Sequence, residues 1–392
     1  MTLLNWLGLK QNGTPARPGR SRRNQELNKK SRDPRPETIA FDVTQNENTF
    51  KIEGDDISLD FIVEGVEMLP ETDASFAVWA LLSRAMEGGF NIQIDRPVDP
   101  KVAANAERLS RIWEMWVPSR YRSIKVSGGG DWSRPARDRL PRAELYSGGV
   151  DSTYSILQLA DPKNRGYALT VEGLDYRDTS EPASFARLIA KTDPLLEHLN
   201  YQRLIVRTNA YHMPQKLTHG FTLAACLFLV SDLFEAGTLA ADRTPAQDMV
   251  TFPWGTNHVT KPYFAGSDFT MRTMWEVSRV EKLAAIAAGE FCLPFLSFCR
   301  RHEVIPSNCG VCGKCIRTKA MFLAAAGYIP EIFLDQAFDQ RLMESINLKG
   351  REWTHILDLY GYAQEKGVVD NVPGLLSLVE QCRQRGSRAS EL

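Results

Sequence analysis

Glu144-Leu145-Tyr146-Ser147-Gly148-Gly149-Val150-Asp151-Ser152-Thr153 reads as the end of a strand, a glycine turn and the start of a helix. Two adjacent glycines let the backbone curl so that several N–H groups point into one concavity, and the helix beginning near Ser152 adds its positive end. Such a cradle suits an anionic phosphate. Ser147 and Ser152 can donate hydroxyl hydrogen bonds to it, and Asp151 is placed to cap the helix or to hold a magnesium ion. The run lacks the Gly-Lys-Ser/Thr ending of a Walker loop, so another nucleotide-binding logic is required.

Downstream, the helix from Ser152 runs to about residue 160. Strand-like segments recur at 167–173, 203–208, 249–255 and 293–298, separated by helical stretches at 184–199, 219–235 and 271–288. The alternation predicts an α/β fold, a doubly wound parallel sheet with ligands at the C-terminal ends of its strands. Asp175 and Tyr176 then end the second strand, and Thr208 and Asn209 the third. The fourth opens into 252–264, rich in aromatic, amide and proline residues. Trp254, Asn257 and Tyr263 there could form a pocket for a flat acceptor, or an ordered loop could pack Trp254 and Tyr263 inward. His258 reads as a loop histidine rather than a general base. Arg279 and Lys282, one helical turn apart, share a face that could direct charge at a phosphate.

Seven cysteines include Cys299 and the run Cys309-Gly310-Val311-Cys312-Gly313-Lys314-Cys315. Four soft ligands, three at two-residue spacing around a glycine, suit a closed tetrahedral zinc site of structural type. A three-cysteine iron–sulfur site and a set with His302 replacing Cys299 stay open. Cys226 and Cys292, in apolar surroundings, read as small buried hydrophobes.

The 392 residues, 43% hydrophobic and 24% charged, are enough for one large core and a smaller domain. The formal net charge of −1 gives no general pull towards nucleic acid. Residues 1–37, with Arg17, Arg20, Arg22, Arg23, Lys29, Lys30, Arg32 and Arg35 and few apolar side chains, read as a basic disordered tail. Alternating apolar residues in 38–126, then a helix from Pro100 carrying Trp113 and Trp116, predict a separate small α+β unit. Residues 127–142, rich in glycine, proline and arginine, read as a linker. They lead to the main domain at 143–330, with its cysteine knuckle at 299–315, and to C-terminal helices at 331–392. No apolar run reaches the roughly 18–20 residues of a spanning helix, and no signal-peptide core is present, so a cytoplasmic protein without membrane partners is expected.

Ser147-Gly148-Gly149-Val150-Asp151-Ser152 resembles the pyrophosphate loop of the PP-loop ATP pyrophosphatases. Over about residues 140–327, the order of loop, aromatic segment, lysine helix and Cys-x9-Cys-Gly-x-Cys-x-x-Cys is similar to the QueC-like (7-cyano-7-deazaguanine synthase-like) family. The resemblance implies ATP and magnesium on Ser147, Gly148, Gly149, Val150, Asp151 and Ser152, with the adenosine by Asp175. It implies Asp151, Ser152 and Lys282, assisted by Arg317, in catalysis, Trp254, Asn257 and Tyr263 on the acceptor, and zinc on Cys299, Cys309, Cys312 and Cys315. The chain departs from the family in its N-terminal domain and in its helices after Pro330. It also carries Thr318, between Arg317 and Lys319, where the family usually has an arginine.

The larger QueC-like proteins of antiphage systems, of the Qat and type IV CBASS kinds, are more similar in layout. They imply adenylation of a deazaguanine carboxylate such as 7-carboxy-7-deazaguanine, pyrophosphate release and amide formation with a partner protein's amine. A homodimer is implied only by that resemblance. Alternatives are nitrile synthesis with ammonia for queuosine-type modification, sulfur transfer to tRNA, and a nucleotide-binding scaffold without turnover.

Overall fold

A computed structural model describes residues 36–70, 73–134, 137–176, 182–214, 217–301, 303–348 and 352–390. Residues 1–35 of the expected disordered tail, and His302, lie outside these residues. In 38–64, Phe41, Val43, Phe50, Ile52, Ile57, Leu59, Phe61 and Val63 are buried while their neighbours in sequence face outward, as a half-buried sheet requires. They build the antiparallel strands β1 (Thr38–Asn46), β2 (Thr49–Gly54) and β3 (Ile57–Glu64). Helix α1 (Ser75–Gly88) stops at Gly89, which takes the left-handed φ of 71°. Strand β4 (Asn91–Ile94) returns parallel to β1. Asp99 caps α2 (Pro100–Trp116) through the Lys101 N–H, and β5 (Val126–Gly128) pairs with β4.

The second half alternates. Strand β6 (Ala143–Leu145) leads to α3 (Val150–Leu159), β7 (Gly166–Glu172), α4 (Pro182–His198) and β8 (Tyr201–Thr208). Then come α5 (His219–Leu229), β9 (Gly237–Ala240), α6 (Pro245–Asp248), β10 (Met271–Met274) and α7 (Arg279–Ala288). Four more helices close the described chain: α8 (Gly313–Ala326), α9 (Gln340–Glu344), α10 (Glu352–Lys366) and α11 (Leu375–Ser390).

Among the described residues the strands form one ten-stranded, mostly parallel sheet in the order β10-β9-β6-β7-β8-β3-β2-β1-β4-β5. In its parallel half the chain starts at the central β6, goes out through β7 to β8, then crosses back to β9 and β10. The order reverses at β6. The crevice outside its carboxyl end, where ligands of open α/β sheets bind, therefore opens at Ser147–Ser152. Leu145, Leu169 and Leu204 face a core shared with α1, α2 and α5, while Tyr146 and Ala168 face one built with α3, α7, α8, α10 and α11.

Several segments differ from the sequence reading. Residues 249–255 form no strand, and the fourth parallel strand is Gly237–Ala240, too short and small for a period to show. The span 271–288 is strand β10 and then α7, because Ser278 and Glu281 close a capping box that starts the helix at Arg279. Residues 293–298 are a 3-10 turn, Glu290–Phe295, running into an extended segment.

The N-terminal unit is not separate. β3 pairs antiparallel with β8, Val63 opposite Val206, and Trp79 of α1 packs on Phe228 and Phe264 at ring-centroid distances of 5.6 and 5.4 Å. The expected linker is pinned as well. Arg134, 5% exposed, reaches Asp73 (2.8 Å), Asp268 (3.1 Å) and Asp232 (3.3 Å).

A chain of residues 140–392 alone should consequently lose its near-UV circular dichroism and aggregate, since β8 would have an open edge and α5 a bare aromatic face. Cooperative melting of that fragment would show instead that the halves fold independently.

Candidate functional site

Gly148 adopts a φ of 73°, and a Cβ there would lie 3.1 Å from Thr192 Cγ2, so both conformation and space demand glycine. Gly149 then precedes α3 in extended conformation without a side-chain cap. The first-turn N–H groups of α3 lack intrahelical acceptors and face the crevice with the helix's positive end. The Ser152 hydroxyl accepts from the Ser147 N–H (3.2 Å), donates to the Gly149 carbonyl (3.2 Å) and lies 3.3 Å from Ser147 Oγ, which holds the turn closed. Ser297 clamps the turn from outside. Its N–H donates to the Gly148 carbonyl at 2.8 Å, and its Oγ bonds Tyr176 Oη at 3.1 Å.

Asp151 does not cap the helix. Its carboxylate receives Arg279 Nη2 at 2.5 Å and Lys282 Nζ at 3.0 Å, and Lys282 also donates to the Ala241 carbonyl at the end of β9. Lys282 is fully buried. Burial opposes the charge on Asp151, but Arg279 and Lys282 outweigh it and hold the carboxyl well below the usual carboxylate range. The one-turn spacing of Arg279 and Lys282 thus serves a carboxylate first, and a magnesium ion on Asp151 would have to compete with both cations.

More cations converge here than the sequence reading singled out. Burial, together with Arg279 and Arg300, pulls the Arg317 guanidinium down to about 10, against Glu352. Burial also lowers Lys314, against Asp175, with Arg279, Arg317 and Arg300 adding to the effect. Arg243, 7% exposed, pairs with Asp242 at 2.5 Å and lies 4.6 Å from the Trp254 ring centroid. The Nε atoms of Arg243 and Arg317 are buried without a hydrogen-bond partner among the described residues. Buried donors left open, in a well of like charge, fit an anion with several oxygens. Arg243, Arg300 and Lys314 carry no local motif, so no sequence signal points to them.

Helix α10 lies over this well. Its Glu352 pairs with Arg317 and, at 3.4 Å, with Arg300. His355 and Asp358 follow on the same face. Burial, then the charges of Arg317, Arg279, Arg243 and Arg300, keep His355 well below its ordinary value. Burial, with Glu281 adding, pushes Asp358 up to about 6 against Arg279 and Lys282.

The expected acceptor residues diverge. Trp254, half-buried, borders the well beneath Arg243. Asn257 is spent on its own loop, Nδ2 donating to the Asp248 (2.6 Å) and Thr251 (3.5 Å) carbonyls and Oδ1 accepting from Val259. Tyr263 packs half-buried against the core of α1 and α5. His258, an exposed loop residue, lies 3.6 Å from Glu276. Asp175 is exposed beyond β7, near Lys314. Thr318 bonds the Lys314 carbonyl and Lys319 the Asp335 carbonyl, so of that trio only Arg317 meets the well.

The ligand sulfurs of Cys299, Cys309, Cys312 and Cys315 lie within 4.8 Å of one another, with Cys299–Cys312 at 4.0 Å and Cys309–Cys315 at 3.8 Å. A tetrahedral ion with bonds of about 2.3 Å spaces its sulfurs by about 3.8 Å, so the four can hold one zinc-sized metal. Cys226 and Cys292 are buried, as expected. Asn308, also fully buried, ties this knuckle to the loop clamp: Oδ1 accepts from the Phe298 N–H (3.0 Å) and Nδ2 donates to the Leu296 carbonyl (3.0 Å).

No family model, curated protein or solved structure matches the chain. Its resemblance to a family rests on the motifs alone.

Asp151→Ala, which the motif alone would offer as a clean catalytic knockout, should cost about 3–5 kcal/mol of stability by stranding two buried cations, measurable by urea unfolding. The sign with pH follows. A depressed folded-state carboxyl stabilises above its unfolded value of about 4, and wild type should lose that contribution as pH falls below it, whereas Asp151→Ala should not. Cys312→Ser, or a strong chelator, should lower the melting temperature and release about one metal per chain, read by thermal scan and elemental analysis.

Proposed function

We propose that the protein adenylates a carboxylate with ATP, releasing pyrophosphate, and then joins the acyl group to an amine. The observation that carries this reading is the glycine turn at the point where the sheet order reverses, with Arg279 and Lys282 on its Asp151 and the open Nε atoms of buried Arg243 and Arg317 in the same cluster of cations. The PP-loop resemblance of Ser147–Ser152 supports it, and so does the cysteine knuckle behind the turn.

In this reading the first-turn N–H groups of α3 and the Ser147 hydroxyl hold the β- and γ-phosphates, and the adenosine lies towards Asp175. A magnesium ion, when bound, would screen charge between those phosphates. The carboxylate attacks the α-phosphorus and pyrophosphate leaves. Arg279 and Lys282 lie where its charge grows, already ordered by Asp151, so the chain contributes position and electrostatics without a covalent nucleophile. An amine then displaces AMP to leave an amide. Trp254 offers a flat face to the acceptor, for which a deazaguanine carboxylate is the proposed class.

A partner protein's amine, in an antiphage setting, is the proposed nucleophile, and ammonia followed by dehydration to a nitrile is the alternative. Sulfur transfer is disfavoured, because Cys226, Cys292 and Cys382 are buried and the other four cysteines cluster.

The test is pyrophosphate release with ATP, magnesium and 7-carboxy-7-deazaguanine, with mass spectrometry of small molecules and co-expressed proteins. Release is expected, and Ser147→Ala should slow it about tenfold, the worth of roughly one hydrogen bond to a charged group. ATP binding without release on any carboxylate would leave a nucleotide-binding scaffold in place of an enzyme.

A further inference from the structure

We propose that His355 is the base that takes the proton from the attacking amine when the amide forms, so that helix α10 is part of the reaction site. This rests on the adenylation reading above. Glu352, His355 and Asp358 stand three residues apart, along one face about 9 Å long. Glu352 fixes where that face points, through Arg317 and Arg300. The helix is held again where Gln247 Nε2, on α6, donates to the Thr354 carbonyl at 3.2 Å. His355 is 4% exposed, and its Nδ1 has no hydrogen-bond partner among the described residues. A buried ring nitrogen without a partner is rare, and here it belongs to the helix whose Glu352 pairs with Arg317 and Arg300.

Asp151 has its oxygens occupied by Arg279 and Lys282, and the charges that act on His355 are the guanidiniums of Arg317 on α8, Arg279 on α7, Arg243 after β9 and Arg300 after the loop clamp. On its own helix it has Glu352, already paired, and Asp358, which sits among Glu281, Arg279 and Lys282, is pushed up to about 6 and has an Oδ2 likewise buried without a partner among the described residues, one turn further from the Glu352 pairs. Burial, then the four guanidiniums, keep the imidazole neutral in the empty site. Phosphate oxygens entering the well cancel part of their field, so bound nucleotide raises its basicity when a base is needed.

The step balances. The amine nitrogen bonds the acyl carbon, the carbon–oxygen bond to AMP breaks, and AMP departs with that electron pair. The amine's proton passes to His355 and then to solvent.

The experiment compares His355→Gln with the wild type in two half-reactions, ATP–pyrophosphate exchange driven by the carboxylate and aminolysis of the preformed acyl-adenylate. His355→Gln should slow aminolysis about 100-fold or more, far beyond any change in exchange, and should flatten the rise of aminolysis with pH. Nuclear magnetic resonance titration, with the His355 signal assigned by its loss in the variant, should find the ring neutral at pH 6.5 and its pKa raised by inorganic pyrophosphate. Equal loss of both half-reactions, unchanged aminolysis, or a ring that ignores pyrophosphate would each overturn the proposal. Exchange absent from the wild type would remove the adenylation reading itself. Exchange retained with aminolysis unaltered in His355→Gln would remove only the role of His355.

Discussion

The ion cluster of Asp151 with Arg279 and Lys282 is the contact on which the site depends. It joins the first turn of α3 to the first turn of α7, and Lys282 adds the end of β9 through Ala241. Three elements that meet at the reversal of the sheet are thereby held by one ion cluster. Removing a lysine and an arginine from water is costly, and a single carboxylate repays it only with close geometry. The contact orders two cations beside the glycine turn before any ligand arrives. Preordered charge of this kind stabilises a developing anion with little reorganisation.

The cysteine knuckle is mechanically linked to the same turn. Ser297 holds the Gly148 carbonyl, Phe298 is held by Asn308, and Asn308 immediately precedes Cys309. Lys191 adds bonds to the Leu296 (2.8 Å) and Pro306 (3.2 Å) carbonyls. A metal on the four thiols would stiffen a segment that sets the shape of the glycine turn. A four-cysteine cluster that could hold a metal is thereby tied to the shape of the turn.

Local features were legible. Gly148 and Gly149 announce a turn, Asp99-Pro100 starts a helix, and the alternation in 38–64 marks three strands, because each depends on the conformational limits of a few adjacent residues. The four cysteines were readable for a related reason, since short spacing by itself forces ligands together. Gly237–Ala240 was not legible, being a short central strand whose place is decided by β6 and β10 on either side. The amide of Asn257 was misleading, because an amide that completes a loop looks in sequence like one that meets a ligand.

By itself, then, the sequence determined an α/β chain with a glycine cradle, a helix carrying Arg279 and Lys282 on one face, and a four-cysteine knuckle. Only the tertiary structure decided that the N-terminal strands extend the same sheet, and that Arg243, Arg300, Lys314 and Arg317 gather with Arg279 near His355 of a C-terminal helix. The physical reason is range. Turns, caps and ligand spacing are set by neighbours along the chain, whereas sheet continuation and the gathering of charge depend on which distant surfaces bury one another. Those choices are made by the whole core and leave no mark on any single stretch of residues.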